Sequence, residues 1–304
     1  MEIENRCFTF RICLEKKILF DIFPSFIFRS VIGMELKRIA CISIGKRCDN
    51  CDLKFQCAYS KIFESPVKKN SEILNGRNYA SHPFVLSADI SEGDKTKELD
   101  LNLNLFGNAV EYMPYIYYAV KSAGKKGIFK SRIPFEISDV TYGGISIIAS
   151  EDKLSIPSEK RIWKLDDDTR SKFKKHILIN FQSPFRIKIG GRYRSNFSYK
   201  EFLNNIFRRV KVIAGLYGNS TSEIEELPEG VEKEWNTSFS WKDLPRYSAR
   251  QKSVMKLGGI TGTAEVKGIF SPFEMSLLDF AEIFHAGKNP SFGLGQIKIF
   301  EKKE

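Results

Sequence analysis

The chain has 304 residues, 42% of them hydrophobic, and 48 Lys and Arg against 37 Asp and Glu give a formal net charge of +11. The length suits two domains and the apolar content suits a core in each, which excludes a disordered chain, while the basic excess favours a polyanionic partner, nucleic acid before any other. The longest apolar runs fall far short of a membrane span, and the charged start MEIENRCFTFRICLEKK is unlike a signal peptide, so a soluble cytoplasmic protein with no membrane contact is expected.

CFTFRICLEK (7–16) alternates apolar and polar residues as a half-buried strand does. Cys7 and Cys13 share one face of it and are expected to be buried as small apolar residues. Phe26, Ile27, Ile32, Leu36 and Ile39 then form a helical stripe, with Arg29, Lys37 and Arg38 left to solvent. A cysteine-rich segment follows. Ser81-His82-Pro83 breaks the chain before a strand at 84–88, and KELDLNLNLFG (97–107) is a second strand of period two. A helix is expected over 108–124, with Pro114 early in it or kinking it. Strands at 129–140 and 142–150 complete the order strand, helix, strand, strand, helix, strand, which is the ferredoxin-like pattern.

Residues 151–175 are charged and poor in aromatics, and the domain junction is placed there. The same order then recurs. A strand at 176–189 continues into a second, and a helix covers 199–218. Its stripe is Phe202, Ile206, Val210, Ile213 and Leu216, with Arg208, Arg209 and Lys211 pointing elsewhere. A long polar segment leads to a glycine-punctuated hairpin over 249–270, a helix over 273–287, and a last strand after SFGLG. The expected fold is therefore α+β: two tandem ferredoxin-like domains, 1–160 and 176–304, with a cysteine knob at 41–64 in the first and a glycine-rich loop in the second.

Four of the six cysteines, Cys41, Cys48, Cys51 and Cys57, fall within seventeen residues. Two thiolates two residues apart grip one metal ion from a single tight turn, and the other pair can close a tetrahedron around it. Structural zinc is the leading expectation. An iron–sulfur cluster and a pair of disulfides are the alternatives, and a reducing compartment favours a metal over disulfides. Lys46, Arg47 and Lys54 would offset the charge of the thiolates.

Three stretches carry a family likeness: the cysteine segment running on through Tyr59 and Phe63-Glu64, RYSARQ (246–251) leading into GGITGTAEVKG, and FHAGKNPSFGLGQIKI (284–299). In them the chain resembles the CRISPR-associated endoribonucleases of the RAMP superfamily, which process precursor CRISPR RNA. The resemblance implies two ferredoxin-like (RAMP, RRM-like) domains that bind a repeat in the precursor transcript and cut it once. It implies metal-independent attack of a 2′-hydroxyl on the adjacent phosphate, with CRISPR repeat RNA or crRNA as partner. CRISPR effector-complex subunits are a further possible partner, and the protein is either a monomer or a homodimer. A rival reading is a non-catalytic RNA-binding subunit of an effector complex, and a third is an unrelated zinc-containing nucleic-acid binder. Family members use a histidine near the first helix, and residues 17–40 contain none, which favours the rival.

Such attack needs a base, an acid and a cation for the phosphorane. The chain has three histidines, His82, His176 and His285. His285, at a helix end where the helix dipole favours imidazolium, is the expected acid or base, and Lys288 the expected charge stabiliser. The alternative for His285 is a helix cap, and His82 and His176 read as packing or structural residues. Arg29 and Arg38 are the fallback, through positioning and electrostatics. Arg192, Arg194, Arg246 and Arg250 are expected at phosphates, Tyr193 and Tyr247 at bases, and Gly293 and Gly295 as bare backbone approaching phosphate.

Overall fold

A computed structural model describes residues 1–43, 45–67, 78–150, 153–219, 224–248 and 253–302. The chain divides into two compact units, Glu4–Arg161 and Ile162–Glu304, the latter joined by Met1–Ile3.

The first unit contains β1 (Glu2–Leu19), α1 (Pro24–Ala40), β2 (Phe84–Ala88), β3 (Lys95–Phe106), α2 (Met113–Lys126), β4 (Phe135–Tyr142) and β5 (Ile145–Ser146). The sheet runs β2-β3-β1-β4-β5 and is antiparallel throughout. Two β-α-β crossovers joined by a hairpin yield this order, with the first and third strands central. Period two decides which side of β1 is core: Phe8, Phe10, Ile12 and Leu14 are buried, and the first three sit opposite Leu103, Leu101 and Leu99 of β3. Cys7 and Cys13 lie on the other face, where Cys7 is exposed and Cys13 half-buried. The expectation that both are buried fails because the larger side chains of the alternate positions take the core face.

Pro24 and Pro114 both stand in the first turns of their helices, where a missing N–H costs nothing. α1 buries Phe28, Ile32 and Leu36, while Ile39 is exposed. Its buried Glu35 accepts hydrogen bonds from Arg38 Nε at 2.9 Å, Ser122 Oγ at 2.7 Å and Lys126 Nζ at 2.6 Å, tying α1 to α2. After α1 come a short 3-10 turn, Cys48–Asn50, and a wide turn, Ser60–Glu64. Two short strands, β6 (Ile148–Ser150) and β7 (Lys153–Leu154), pair with each other, and β8 (Arg161–Lys164) leads into the second unit.

The second unit contains β9 (Phe173–Phe185), β10 (Ile187–Ile189), β11 (Arg192–Arg194), α3 (Tyr199–Tyr217), β12 (Glu234–Lys242), β13 (Pro245–Ser248), β14 (Ser253–Lys256), β15 (Gly259–Phe270), α4 (Pro272–Phe284) and β16 (Ile297–Glu301). The order β12-β15-β9-β16 repeats that of the first unit. The core is aromatic: Phe181 packs edge-on to Phe202 and Phe239, and Phe197 against Phe185 and Trp235. Capping boxes start both helices, Ser198 with Glu201 and Ser271 with Glu274. The hairpin expected over 249–270 is instead two half-hairpins. β14 pairs with β13, and β15 pairs along its length with β12, a strand that lies in the segment read as polar.

Candidate nucleic-acid interface

In this topology the exit of the first strand, the turn between the second and third, and the entry of the fourth all lie at one end of the sheet. In the second unit each of these connections is enlarged. β10 and β11 form a hairpin after β9, β13 and β14 form one between β12 and β15, and the glycine-rich loop 285–296 precedes β16. The connections touch. Gly295 N donates to Pro184 O at 3.1 Å, Lys288 N to Arg186 O at 2.9 Å, and Arg186 Nη1 to Asn289 Oδ1 at 3.3 Å. The Arg246 guanidinium lies 4.3 Å from the centroid of the Phe292 ring.

Arg192 and Arg194 are exposed on β11, and Tyr193 between them is 44% exposed. Its ring carries Arg186 at 4.6 Å and Lys188 at 5.6 Å, a cationic platform with an aromatic centre. Arg246 is half-buried, and burial alone lowers its pKa. Lys288 is exposed in the glycine-rich loop. Four of the residues named from sequence thus gather at one end of one sheet: Arg192, Arg194, Arg246 and Lys288. Arg250 lies outside the described residues, as does the side chain of Tyr247.

The glycines serve the loop itself. Gly293 N donates to Pro290 O at 2.8 Å. Gly295 has φ +73°, and a Cβ there would stand 1.7 Å from Ala286 O. Both amides expected to approach phosphate are therefore already donated within the protein.

His285 is 4% exposed, and its Nδ1 faces Leu294 O at 3.3 Å. Burial lowers its pKa to about 4, overriding the hydrogen bond to Leu294, and the nearby Arg209 lowers it further. The imidazolium expected from the helix dipole does not form near neutral pH, because desolvation outweighs the dipole. The cation that does cap α4 is one that sequence reasoning left unassigned. Arg209 of α3 is half-buried, and it donates to Phe284 O and His285 O, each at 3.0 Å. Asn205, one turn earlier, accepts from Gly287 N at 3.1 Å, so α3 holds the loop at two points.

His82 stacks on Phe84, and its Nδ1 lies 3.1 Å from Ser65 Oγ. Burial first, then the charge of Arg29, lowers its pKa to about 3. His176 pairs with Glu265 on neighbouring strands. Arg29 and Arg38 belong to the first unit. The Arg29 guanidinium lies over Phe63 at 5.2 Å and Phe84 at 5.9 Å, half-buried where solvent exposure was expected, and Arg38 is bound to Glu35 and Ser122. Tyr59 stacks on Phe63 at 5.7 Å and donates to Glu64 at 3.3 Å. The aromatic-acid run after the last cysteine is thus packed against α1.

The four clustered cysteines are free and half-buried. Among the described residues no group of three or more His, Cys, Asp or Glu is gathered tightly enough to hold a metal ion. The closed four-thiolate site expected from the spacing is therefore not preformed.

Two ferredoxin-like domains in tandem, the second with a glycine-rich loop before its last strand, define a RAMP-type protein. The family AF_1859_N, an N-terminal domain, matches residues 3–161, just over half of the chain, and the family of the CRISPR-associated endoribonuclease Cas6 matches residues 179–297. The chain belongs to the AF_1859_N family, and its second half is similar to the Cas6 family. An uncharacterized protein of Archaeoglobus fulgidus is 22% identical over 282 residues, covering 90% of each chain. Among solved structures, the Cas6 (TTHB231) product complex matches with a TM-score of 0.55 at 14% identity, covering 98% of this chain and 99% of that one. Thermus thermophilus Cas6 (TTHB231) matches with a TM-score of 0.52 at 13% identity over the same shares. A partial Cas6-RT-Cas1–Cas2 complex matches at 0.52 and 14% identity, covering 99% of this chain and 46% of that one. At these identities the structural likeness carries the fold.

Proposed function

We propose that the chain binds CRISPR repeat RNA and cuts the precursor transcript by attack of a ribose 2′-hydroxyl on the adjacent phosphate, with no metal at the reacting centre. The 2′-oxygen–phosphorus bond forms and the bond to the 5′-oxygen breaks. The 2′-proton leaves to a base and the 5′-oxygen gains one, so the products end in a 2′,3′-cyclic phosphate and a 5′-hydroxyl. The observation that carries the reading is the gathering of Arg192, Arg194, Arg246 and Lys288 with Tyr193 at one end of the second sheet. Cations interleaved with an open aromatic face suit a single-stranded or splayed RNA segment.

Within this reading Lys288 stabilises the charged phosphorane, and Arg192, Arg194 and Arg246 hold flanking phosphates. His285 acts through the loop whose Leu294 carbonyl it meets, as a positioning residue. Catalysis then rests on positioning and electrostatics, which implies slow turnover. The test is single-turnover cleavage of a repeat RNA in EDTA, with the product ends identified. Cleavage leaving a cyclic phosphate supports the reading, and strict dependence on a divalent ion overturns it. One observation favours the rival, a subunit that binds repeat RNA without cutting: burial keeps two of the three histidines neutral at pH 7. Tight binding with intact RNA at every pH would select that reading.

A further inference from the structure

The cysteine segment plays no part in the RNA interface described above. Cys41 is the residue on which α1 ends, its N–H still bound to Lys37 O at 2.9 Å. Cys48 and Cys51 straddle a 3-10 turn closed by Cys51 N to Cys48 O at 3.2 Å. Cys57 follows a second turn, Cys57 N to Leu53 O at 2.8 Å, and its thiol points at Ala40 O, 3.8 Å away, beside Cys41. Cys41, Cys51 and Cys57 line one cavity of about 420 Å³, whose other walls include Leu53, Tyr112 and Tyr115. Cys48 is carried beside that cavity by the 3-10 turn that Cys51 closes.

We propose that this segment is the binding site of one thiophilic divalent cation of the zinc class, held by the thiolates of Cys41, Cys48, Cys51 and Cys57. The spacing C-x6-C-x2-C-x5-C supplies two ligands from one turn and one from each flank, the pattern of a closed structural site. Three of the four cysteines already line one cavity, and the fourth stands on the turn that Cys51 closes. Binding of such an ion and ordering of the segment that supplies its ligands are coupled. Three cations and two acids on the segment leave one net positive charge to offset part of the negative charge of a four-thiolate site. Lys54 donates to Asp49 O at 3.1 Å, Arg47 pairs with Asp49 at 3.4 Å, and Lys46 with Asp52 at 3.8 Å. The bound ion would clasp the segment to the end of α1 and to the tyrosines of the cavity wall, a structural and not a catalytic role.

The test uses the full chain, purified under reducing conditions without chelator. Elemental analysis is expected to find about one equivalent of zinc, and replacement by Co(II) to give sulfur-to-cobalt charge-transfer bands with the strong visible bands of a tetrahedral site. Cys51→Ser and Cys57→Ser should lose both signals, whereas Cys7→Ser and Cys13→Ser keep them. If a serine variant aggregates, proteolysis of the wild-type chain with and without chelator answers instead, because removal of the ion should open 41–64 to cleavage. Less than about a tenth of an equivalent of any metal with no cobalt–thiolate band overturns the proposal. So does iron in place of zinc, an intact mass four hydrogens light from two disulfides, or unchanged metal content in Cys51→Ser.

Discussion

Replacing His285 by asparagine tests whether this ring is a buried neutral group or a titrating one. Asparagine keeps a short N–H donor for Leu294 O on a side chain that does not titrate. In the unfolded chain histidine titrates near 6.5, whereas burial holds this ring at about 4. Between those values the unfolded state binds the proton and the folded state does not, so stability falls as pH drops through the window and is fully present above it. At pH 5 the loss is about 2 kcal/mol relative to pH 7.5, rising to about 3 kcal/mol below pH 4. The asparagine variant carries no such penalty. All three tryptophans, Trp163, Trp235 and Trp241, lie in the unit that contains His285, so urea unfolding followed by tryptophan fluorescence reads that unit alone. The wild type should lose about 2 kcal/mol more than His285→Asn between pH 7.5 and pH 5. Parallel pH profiles, within about 0.5 kcal/mol, would refute the buried neutral ring and return His285 to the catalytic candidates.

Arg246→Ala should weaken repeat-RNA binding and lower the slope of log affinity against log salt by about 1, read by fluorescence anisotropy over a KCl series; an unchanged slope removes Arg246 from the interface. Gly295→Ala forces a Cβ to 1.7 Å from Ala286 O at φ +73°, and should cost at least about 2 kcal/mol in thermal or urea melts of the second unit. Glu35→Ala strands Arg38 and Lys126; both are more than half exposed, so water recovers part of the loss, and about 1–2 kcal/mol of destabilisation is expected by circular dichroism.

Periodicity made the element order of the first domain legible, because its strands have one buried face and its helices one apolar stripe. The strand expected over 142–150 is instead broken by a turn at Gly143 and Gly144 and runs as two short strands. KELDLNLNLFG reads as a strand because each leucine must reach the core that Phe8, Phe10 and Ile12 build from the next strand. β12 escaped for the opposite reason. In EWNTSFSWK only Trp235 and Phe239 face inward, four residues apart, and the positions between them are exposed, so neither period two nor a continuous apolar run appears. The candidate site was legible as composition and not as geometry. Arginines at 192, 194 and 246 could be named, but that three separate connections meet at one end follows from strand order, which no local pattern carries. Arg209 was set aside as a residue off the apolar stripe. Its hydrogen bonds depend on α4 ending beside α3, a tertiary fact. At His285 the helix dipole can be read from sequence, whereas the desolvation that lowers its pKa cannot.

The two units share one strand order yet enlarge different connections, and the topology makes that a choice of end. In the second unit the β9–α3, β12–β15 and α4–β16 connections are enlarged, all at the end where the first strand exits. In the first unit the long insertion joins α1 to β2, at the opposite end of its sheet, where the link from β3 to α2 brings Tyr112 and Tyr115 to the same cavity as the cysteines. The exit end of the first unit is closed by short contacts instead: Phe20 N donates to Asp94 O at 2.9 Å, Gly93 N to Phe20 O at 2.8 Å, and the Phe20 and Phe129 rings pack at 5.7 Å. That connection is filled by its own backbone bonds and aromatic packing, whereas the connections of the second unit carry exposed Arg192, Arg194 and Lys288 and a half-exposed tyrosine face. The physical case for RNA therefore falls on the second unit, and the chemistry of the first unit gathers at its thiol-lined cavity.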